Sequence, residues 1–180
     1  MLNVRISLEN ISLNPQKSEM KTDTINALFP IVRVSGGRAV ADRWAAHVKE
    51  WLYCARCPLN ATASNHVLAR GDIPCDVLYI AEAPGSSEDA LGEVMIGPAG
   101  KLMDRLLIES SPMRIESSPL RVIIPRKPVA SKYKYLLSNI LACAPWLDLQ
   151  ARTVREPSKE EAKACSPRIV ELIELAKPKG

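Results

Sequence analysis

The sequence predicts an α/β layered domain with parallel strands, and three observations carry that expectation. Two short apolar runs, 76–83 and 135–145, read as buried strands. Helical-period patterns stand before, between and after them, at 38–53, 97–109 and 158–176. Strand and helix therefore alternate along the chain, the order that lays helices on the faces of a parallel sheet.

Each element has its own signal. Residues 1–35 read as an N-terminal appendage, with Leu2, Val4, Ile6 and Leu8 alternating as in a short half-buried strand. The domain proper is placed at 36–180. From Arg38 to Tyr53, Val40, Trp44, Val48, Trp51 and Leu52 recur at three- and four-residue steps, which makes one helix face apolar and the two Trp residues core. Residues 58–75 read as loop. Asp76–Ala83 carries the β-branched Val77 and Ile80 and reads as a fully buried strand. "GPAGKLMDRLLIE" opens a helix with Pro98 in its first turn, its buried face supplied by Leu102, Met103, Leu106 and Leu107. A tandem duplication follows, "IESSPMR" at 108–114 and "IESSPLR" at 115–121. Pro112 and Pro119 prevent a continuous helix there, so the stretch reads as an expanded loop, with a short strand at Val122–Ile124. Ser158 and Glu161 form a capping-box pattern that starts the last helix, which Pro167 is expected to kink or divide.

Composition narrows the class. The 180 residues suit one ordinary domain, 47% hydrophobic and 24% charged, which excludes a disordered chain. No apolar run approaches the roughly 20 residues that span a bilayer, and the first residues lack a signal-peptide layout. A cytoplasmic monomer is the expectation. The net charge of +4 is unevenly placed. Between Ser110 and Tyr135 stand Arg114, Arg121, Arg126, Lys127, Lys132 and Lys134 against Glu116 alone, +5 locally and −1 elsewhere. Such a segment either meets phosphates or is a solvated basic loop.

Five cysteines in a reducing compartment point to metal ligands or buried thiols. Cys54 and Cys57 have the two-residue spacing that aims both thiols at one metal. Cys143 follows the second strand and Cys165 lies in the last helix. Cys57, Cys143 and Cys165 each have a proline within two residues. Four such residues hold zinc or an iron–sulfur cluster, although the spacing is not that of a zinc ribbon. Cys75 reads as a small buried apolar residue.

The stretch "VLYIAEAPGSSEDALG" (77–92) runs from a strand into an acidic turn. It has one glycine in its turn and three acids, so it is neither a dinucleotide fingerprint nor a welcoming phosphate cradle. An ordinary structural turn and the wall of a base-handling site remain.

Taken in order, "CARCPL", "YIAEAPGSSEDALG", "IGPAGKLMDRLL", "SNILACAP" and a Cys in the last helix resemble the family 4 uracil-DNA glycosylases, the iron–sulfur branch of their superfamily. The resemblance runs from Cys54 to Lys179. It implies a three-layer αβα fold with a central, mostly parallel sheet. It implies a [4Fe–4S] cluster (zinc being the alternative) on Cys54, Cys57, Cys143 and Cys165. It also implies that Glu82 is catalytic, that Glu82, Ala83, Gly85, Met95 and Asn139 bind uracil, and that Gly97 and Gly100 make the turn before the next helix. The partner implied is uracil-containing DNA, with Arg114, Arg121, Arg126, Lys127 and Lys132 as DNA contacts.

The chain departs from the family pattern in five respects. Ala81 replaces a Gly, and Met95 stands where an aromatic ring stacks on uracil. The family continues past the equivalent of Gly180 into a strand, a helix and a His-Pro-Ser loop, so the sheet is expected to lack its C-terminal strands. The 110–134 insertion and the Cys143–Cys165 spacing are both long. His47 and His66 do not match the family's catalytic His and read as structural or surface residues. Two function classes follow: hydrolytic removal of uracil from DNA, or a catalytically inactive or truncated iron–sulfur DNA-binding module of the same superfamily.

Overall fold

The computed structural model describes residues 32–109 and 133–179. The element order is β1 (Val32–Val34), α1 (Arg38–Trp51), a 3₁₀ turn (Pro58–Ala61), β2 (Ala69–Ile73), β3 (Val77–Ala81), α2 (Ser86–Leu91), α3 (Pro98–Glu109), β4 (Tyr135–Asn139), the short pair β5 (Trp146–Asp148) and β6 (Thr153–Val154), and α4 (Lys159–Ala176). The first four strands form one sheet in the order β1-β2-β4-β3. β1 is parallel to β2 and β3 is parallel to β4, whereas β2 and β4 are antiparallel. The sheet is thus mixed and mostly parallel. β5 and β6 make a separate antiparallel hairpin.

Alternation along β4 builds the three layers. Leu136 points to the face where Trp44, Val48 and Trp51 of α1 and Leu172, Leu175 and Ala176 of α4 pack. Tyr135 and Leu137 point to the other face, against Val94 and Leu107, with Met95 and Met103 at its margin. The Trp residues of α1 are core, as their spacing predicts, with both rings fully buried.

β2 overturns the reading of 58–75 as loop throughout. The stretch "ARGDI" looks polar, yet its charges are neutralised inside the fold. Arg70 pairs with Asp104 of α3 at 2.9 Å, and Asp72 pairs with Arg33 of β1 at 2.6 Å. Gly71 has φ +130°, and a Cβ there would sit 2.1 Å from the Tyr135 carbonyl oxygen, so the neighbouring strand demands glycine.

Other expectations need smaller corrections. β3 is half-buried, with Ile80 41% exposed, because it is an edge of the described sheet. The second strand stops at Asn139 rather than running to Pro145, although Ile140 and Leu141 still donate to the carbonyls of Ala81 and Glu82 at 2.8 and 3.1 Å. Of the four predicted positions on α3, Met103 and Leu107, one turn apart, face the core, and Leu102 and Leu106 are more than half exposed. α4 runs unbroken through Pro167. Proline leaves the Lys163 carbonyl without its helical donor, and the Ser166 hydroxyl donates to it instead at 2.9 Å. The capping box is present: Glu161 N–H donates to Ser158 Oγ at 3.2 Å, and Ser158 N–H donates to Glu161 Oε2 at 2.8 Å. The 2–8 strand, the 122–124 strand and the duplication from Ser110 onward lie outside the described residues, as do Arg114, Arg121, Arg126, Lys127 and Lys132.

Candidate active site and cysteine cavity

The carboxyl ends of β3 and β4 lie side by side, in the position where open α/β sheets receive ligands. Ala81 pairs in register with Asn139. Asn139 shares a face with Tyr135 and Leu137, toward α3 and Met95. Its side chain is 2% exposed, and its Nδ2 finds no acceptor among the described residues. A buried amide without a partner is costly, and this atom is left available to a polar group. Glu82 follows Ala81 directly and is exposed at the strand end. Gly85 is the N-cap of α2. The Ala83 methyl packs with Leu59, Leu141 and Cys143.

The acids after the turn hold the backbone. Glu88 Oε1 accepts from the N–H groups of Ile96 and Gly97 at 3.1 and 2.7 Å. The same carboxylate lies between two glycines, since a Cβ on either Gly85 or Gly97 would come within 2.9 Å of it. Glu88 therefore ties the turn beside Glu82 to the loop carrying Met95. Asp89, fully buried, accepts from Ser64 N–H at 3.0 Å and so fixes the loop after the cysteine pair. Met95 adopts a left-handed φ of 55°. Its carbonyl accepts from Arg70 at 3.2 Å, and a Cβ on Gly100 would overlap that oxygen, which explains glycine at 100.

Cys54, Cys57, Cys143 and Cys165 line one small recess together with Trp51, Leu141 and His66, with a cavity volume of about 20 Å³. Three elements meet there: the segment after α1, the turn after β4 and the second turn of α4. Burial pushes the Cys143 thiol up to about 12, and the three neighbouring cysteines add to the rise. The Cys57 thiol is raised as well, by burial first. Among the described residues no three His, Cys, Asp or Glu donors converge tightly enough to hold one metal ion. Arg56 stacks over the Trp51 ring at 4.2 Å on the rim. Cys75 lies apart, buried in the core.

Both histidines are structural in their contacts. His66 Nε2 lies 3.1 Å from the Cys54 carbonyl, and burial lowers its pKa. His47 is buried beside Glu171, whose Oε2 lies 3.2 Å from its Nδ1. Burial, helped by the Arg168 charge, lowers His47 to about 4. The unfolded chain, with an ordinary His near 6.5, therefore binds a proton between about pH 6.5 and 4 that the folded chain does not. This contribution to stability is complete above pH 6.5 and declines as the pH falls toward 4, by about 3 kcal/mol in all. Urea unfolding at pH 7 and pH 4.5 is expected to show the decline in the native chain and a much flatter response in His47→Gln. Equal slopes in both would remove His47 from this role.

Sequence reasoning missed Glu88, Arg70 and Arg168. Arg168 had a visible signal: it occupies an apolar-stripe position in the series Cys165, Arg168, Leu172, Leu175. Arg70 interrupts an apolar run in the same way. Glu88 had none, because an acid in the first turn of a helix is ordinary.

These features define a layered α/β protein with Glu82 and Asn139 at neighbouring strand ends and four cysteines lining one recess. Residues 68–180 match the family model of the uracil DNA glycosylase superfamily, and the chain belongs to that superfamily. Among curated proteins it is similar to the type-4 uracil-DNA glycosylase of Archaeoglobus fulgidus, 29% identical over 131 residues, covering 73% of this chain and 54% of the relative. The type-4 uracil-DNA glycosylase of Pyrobaculum aerophilum is 29% identical over 126 residues, 70% of this chain and 52% of the relative. That of Thermotoga maritima is 29% identical over 125 residues, 69% and 53% of the two chains. The chain spans about half the length of the curated relatives it matches.

Proposed function

We propose that this protein hydrolyses the N-glycosidic bond between uracil and deoxyribose in DNA, acting on a base rotated out of the helix. The supporting observation is the buried Asn139 with its unpartnered Nδ2, paired across the strand ends with the residue before Glu82. An amide presents a donor and an acceptor together, which suits the O4 and N3–H edge of uracil. Cleavage leaves positive charge on the sugar and negative charge on the departing base. A carboxylate at the sugar and a donor at the base stabilise such a transition state. Glu82, exposed at the mouth, fits the first role and can also orient the attacking water. Met95 supplies an apolar wall, held in place by Arg70 and Glu88. The base must leave the stack to reach this depth. The basic residues Arg114, Arg121, Arg126, Lys127 and Lys132 are assigned to DNA phosphates.

The four cysteines are assigned to a [4Fe–4S] cluster. Around one zinc ion the sulfurs would crowd to about 3.8 Å from each other, given Zn–S bonds of about 2.3 Å. In a cubane each thiolate binds a different iron, so the donors need not converge on a point. When bound, the cluster supplies a structural staple joining the end of α1, the turn after β4 and α4.

Incubation with uracil-containing single- and double-stranded DNA tests the reading. The native chain is expected to leave abasic sites, and Glu82→Ala and Asn139→Ala are each expected to slow it about 100-fold or more. Product no greater than in those variants would sink the enzyme reading. Met95, a flexible thioether in place of a rigid ring, favours the inactive DNA-binding module as the second reading. Salt-sensitive DNA binding without abasic product would support it.

A further inference from the structure

Arg168 is fully buried on α4, yet among the described residues no carboxylate lies within ion-pair distance of it. A guanidinium taken out of water without a counter-charge is a costly choice for an apolar stripe. Its two terminal nitrogens donate to one place, while its Nε finds no acceptor among the described residues. One terminal nitrogen donates to the Leu68 carbonyl at 3.2 Å and to Ser138 Oγ at 3.1 Å. The other donates to the Asn139 carbonyl and, at 3.3 Å, to the Ile140 carbonyl. Ser138 Oγ in turn donates to the Leu68 carbonyl at 2.7 Å. The planar fork thus holds the Asn139 and Ile140 carbonyls and the Ser138 hydroxyl from behind the sheet, while the Asn139 side chain projects to the opposite face.

We propose that Arg168 is the positioning residue of Asn139. By holding the carbonyls of residues 139 and 140, it fixes the strand end at the point where β4 leaves its pairing, and so aims the amide at the base. The inference rests on the base-reading role proposed for Asn139. It does not place Arg168 in contact with substrate, and a lysine cannot replace its fork.

The readout is selectivity rather than stability. Affinity is measured for DNA carrying 2′-fluoro-2′-deoxyuridine, which resists cleavage, and for the same DNA carrying a tetrahydrofuran abasic analogue. The native chain is expected to prefer the uracil strand. Arg168→Met is expected to lower that preference about 10- to 100-fold, the range for hydrogen bonds to a charged group, with affinity for the abasic analogue held within about twofold. In an Arg168→Met/Asn139→Ala chain the loss is expected to equal that of Asn139→Ala alone, because both remove one function. If Arg168→Met unfolds by circular dichroism, Arg168→Lys decides on the same criteria, since it keeps charge and stem but loses the fork. Retained preference, a parallel fall in both affinities, or multiplicative losses in the double variant would each overturn the proposal. A native chain with no preference for uracil would instead overturn the role of Asn139, and that of Arg168 with it.

Discussion

Replacing Arg70 with Met is expected to destabilise the protein by about 3–5 kcal/mol, the range for breaking a buried ion pair from one side. Arg70 is 3% exposed and meets Asp104 with two nitrogens, at 2.9 and 3.2 Å. Its removal strands the Asp104 carboxylate between β2 and α3, where little water reaches. For a chain of this size the loss corresponds to a fall of roughly 10 °C in the melting midpoint. The paired change Arg70→Met/Asp104→Leu is expected to recover most of it, because an apolar pair has no charge left to solvate. The Met95 carbonyl loses its donor in both variants. Stability and uracil recognition are therefore expected to part company: the double variant melts near the native chain but handles substrate as poorly as Arg70→Met. A thermal melt and the abasic-site assay on the same samples check this. An Arg70→Met chain within 1 kcal/mol of native would show that the pair is compensated elsewhere.

Arg70 also shows where the sequence is legible and where it is not. Periodicity located α1 and α4, since Trp44, Val48 and Trp51, or Leu172, Leu175 and Ala176, are apolar for the simple reason that they are buried. It failed at β2, whose charged residues are buried by virtue of partners 34 to 39 positions away in the chain. Pairing of that range leaves no local trace beyond a charge set into an apolar run. The same holds for the site. Glu82, Met95 and Asn139 were marked by motif order, and the structure brings Asn139 beside the residue preceding Glu82 and places Met95 on the same face. Glu88 and Arg168, which hold those residues from behind, act through backbone groups that any sequence possesses. The Ala83 methyl packs toward Cys143, because successive residues after a strand end need not share its face. The β5–β6 hairpin between Cys143 and Cys165 appeared in the sequence only as an unusually long spacing.

Cys143→Ala is expected to abolish the proposed cluster and to lower stability by roughly 4 kcal/mol, about 10 °C in the melting midpoint, as loss of a structural metal group does. Cys143 is the most buried of the four thiols lining the recess and belongs to the cluster formed with Leu59 and Leu141, against which Ala83 also packs. Removing it detaches the turn after β4 from α1 and α4, and that turn begins one residue past Asn139. The effect should therefore reach the base site as well as the melt. Cys75→Ala is the matched control: it is equally buried, but lies in the core beside Trp44 and Leu172, away from the recess. It is expected to lose little more than a buried sulfur's packing, about 1 kcal/mol, and to keep its iron. Iron and acid-labile sulfide, measured on anaerobically purified protein, separate the outcomes. Iron and sulfide in the native chain and in Cys75→Ala, with neither in Cys143→Ala, would support the assignment. A colourless native protein carrying zinc or no metal would refute it, and would leave the recess a set of free thiols around the buried Cys143.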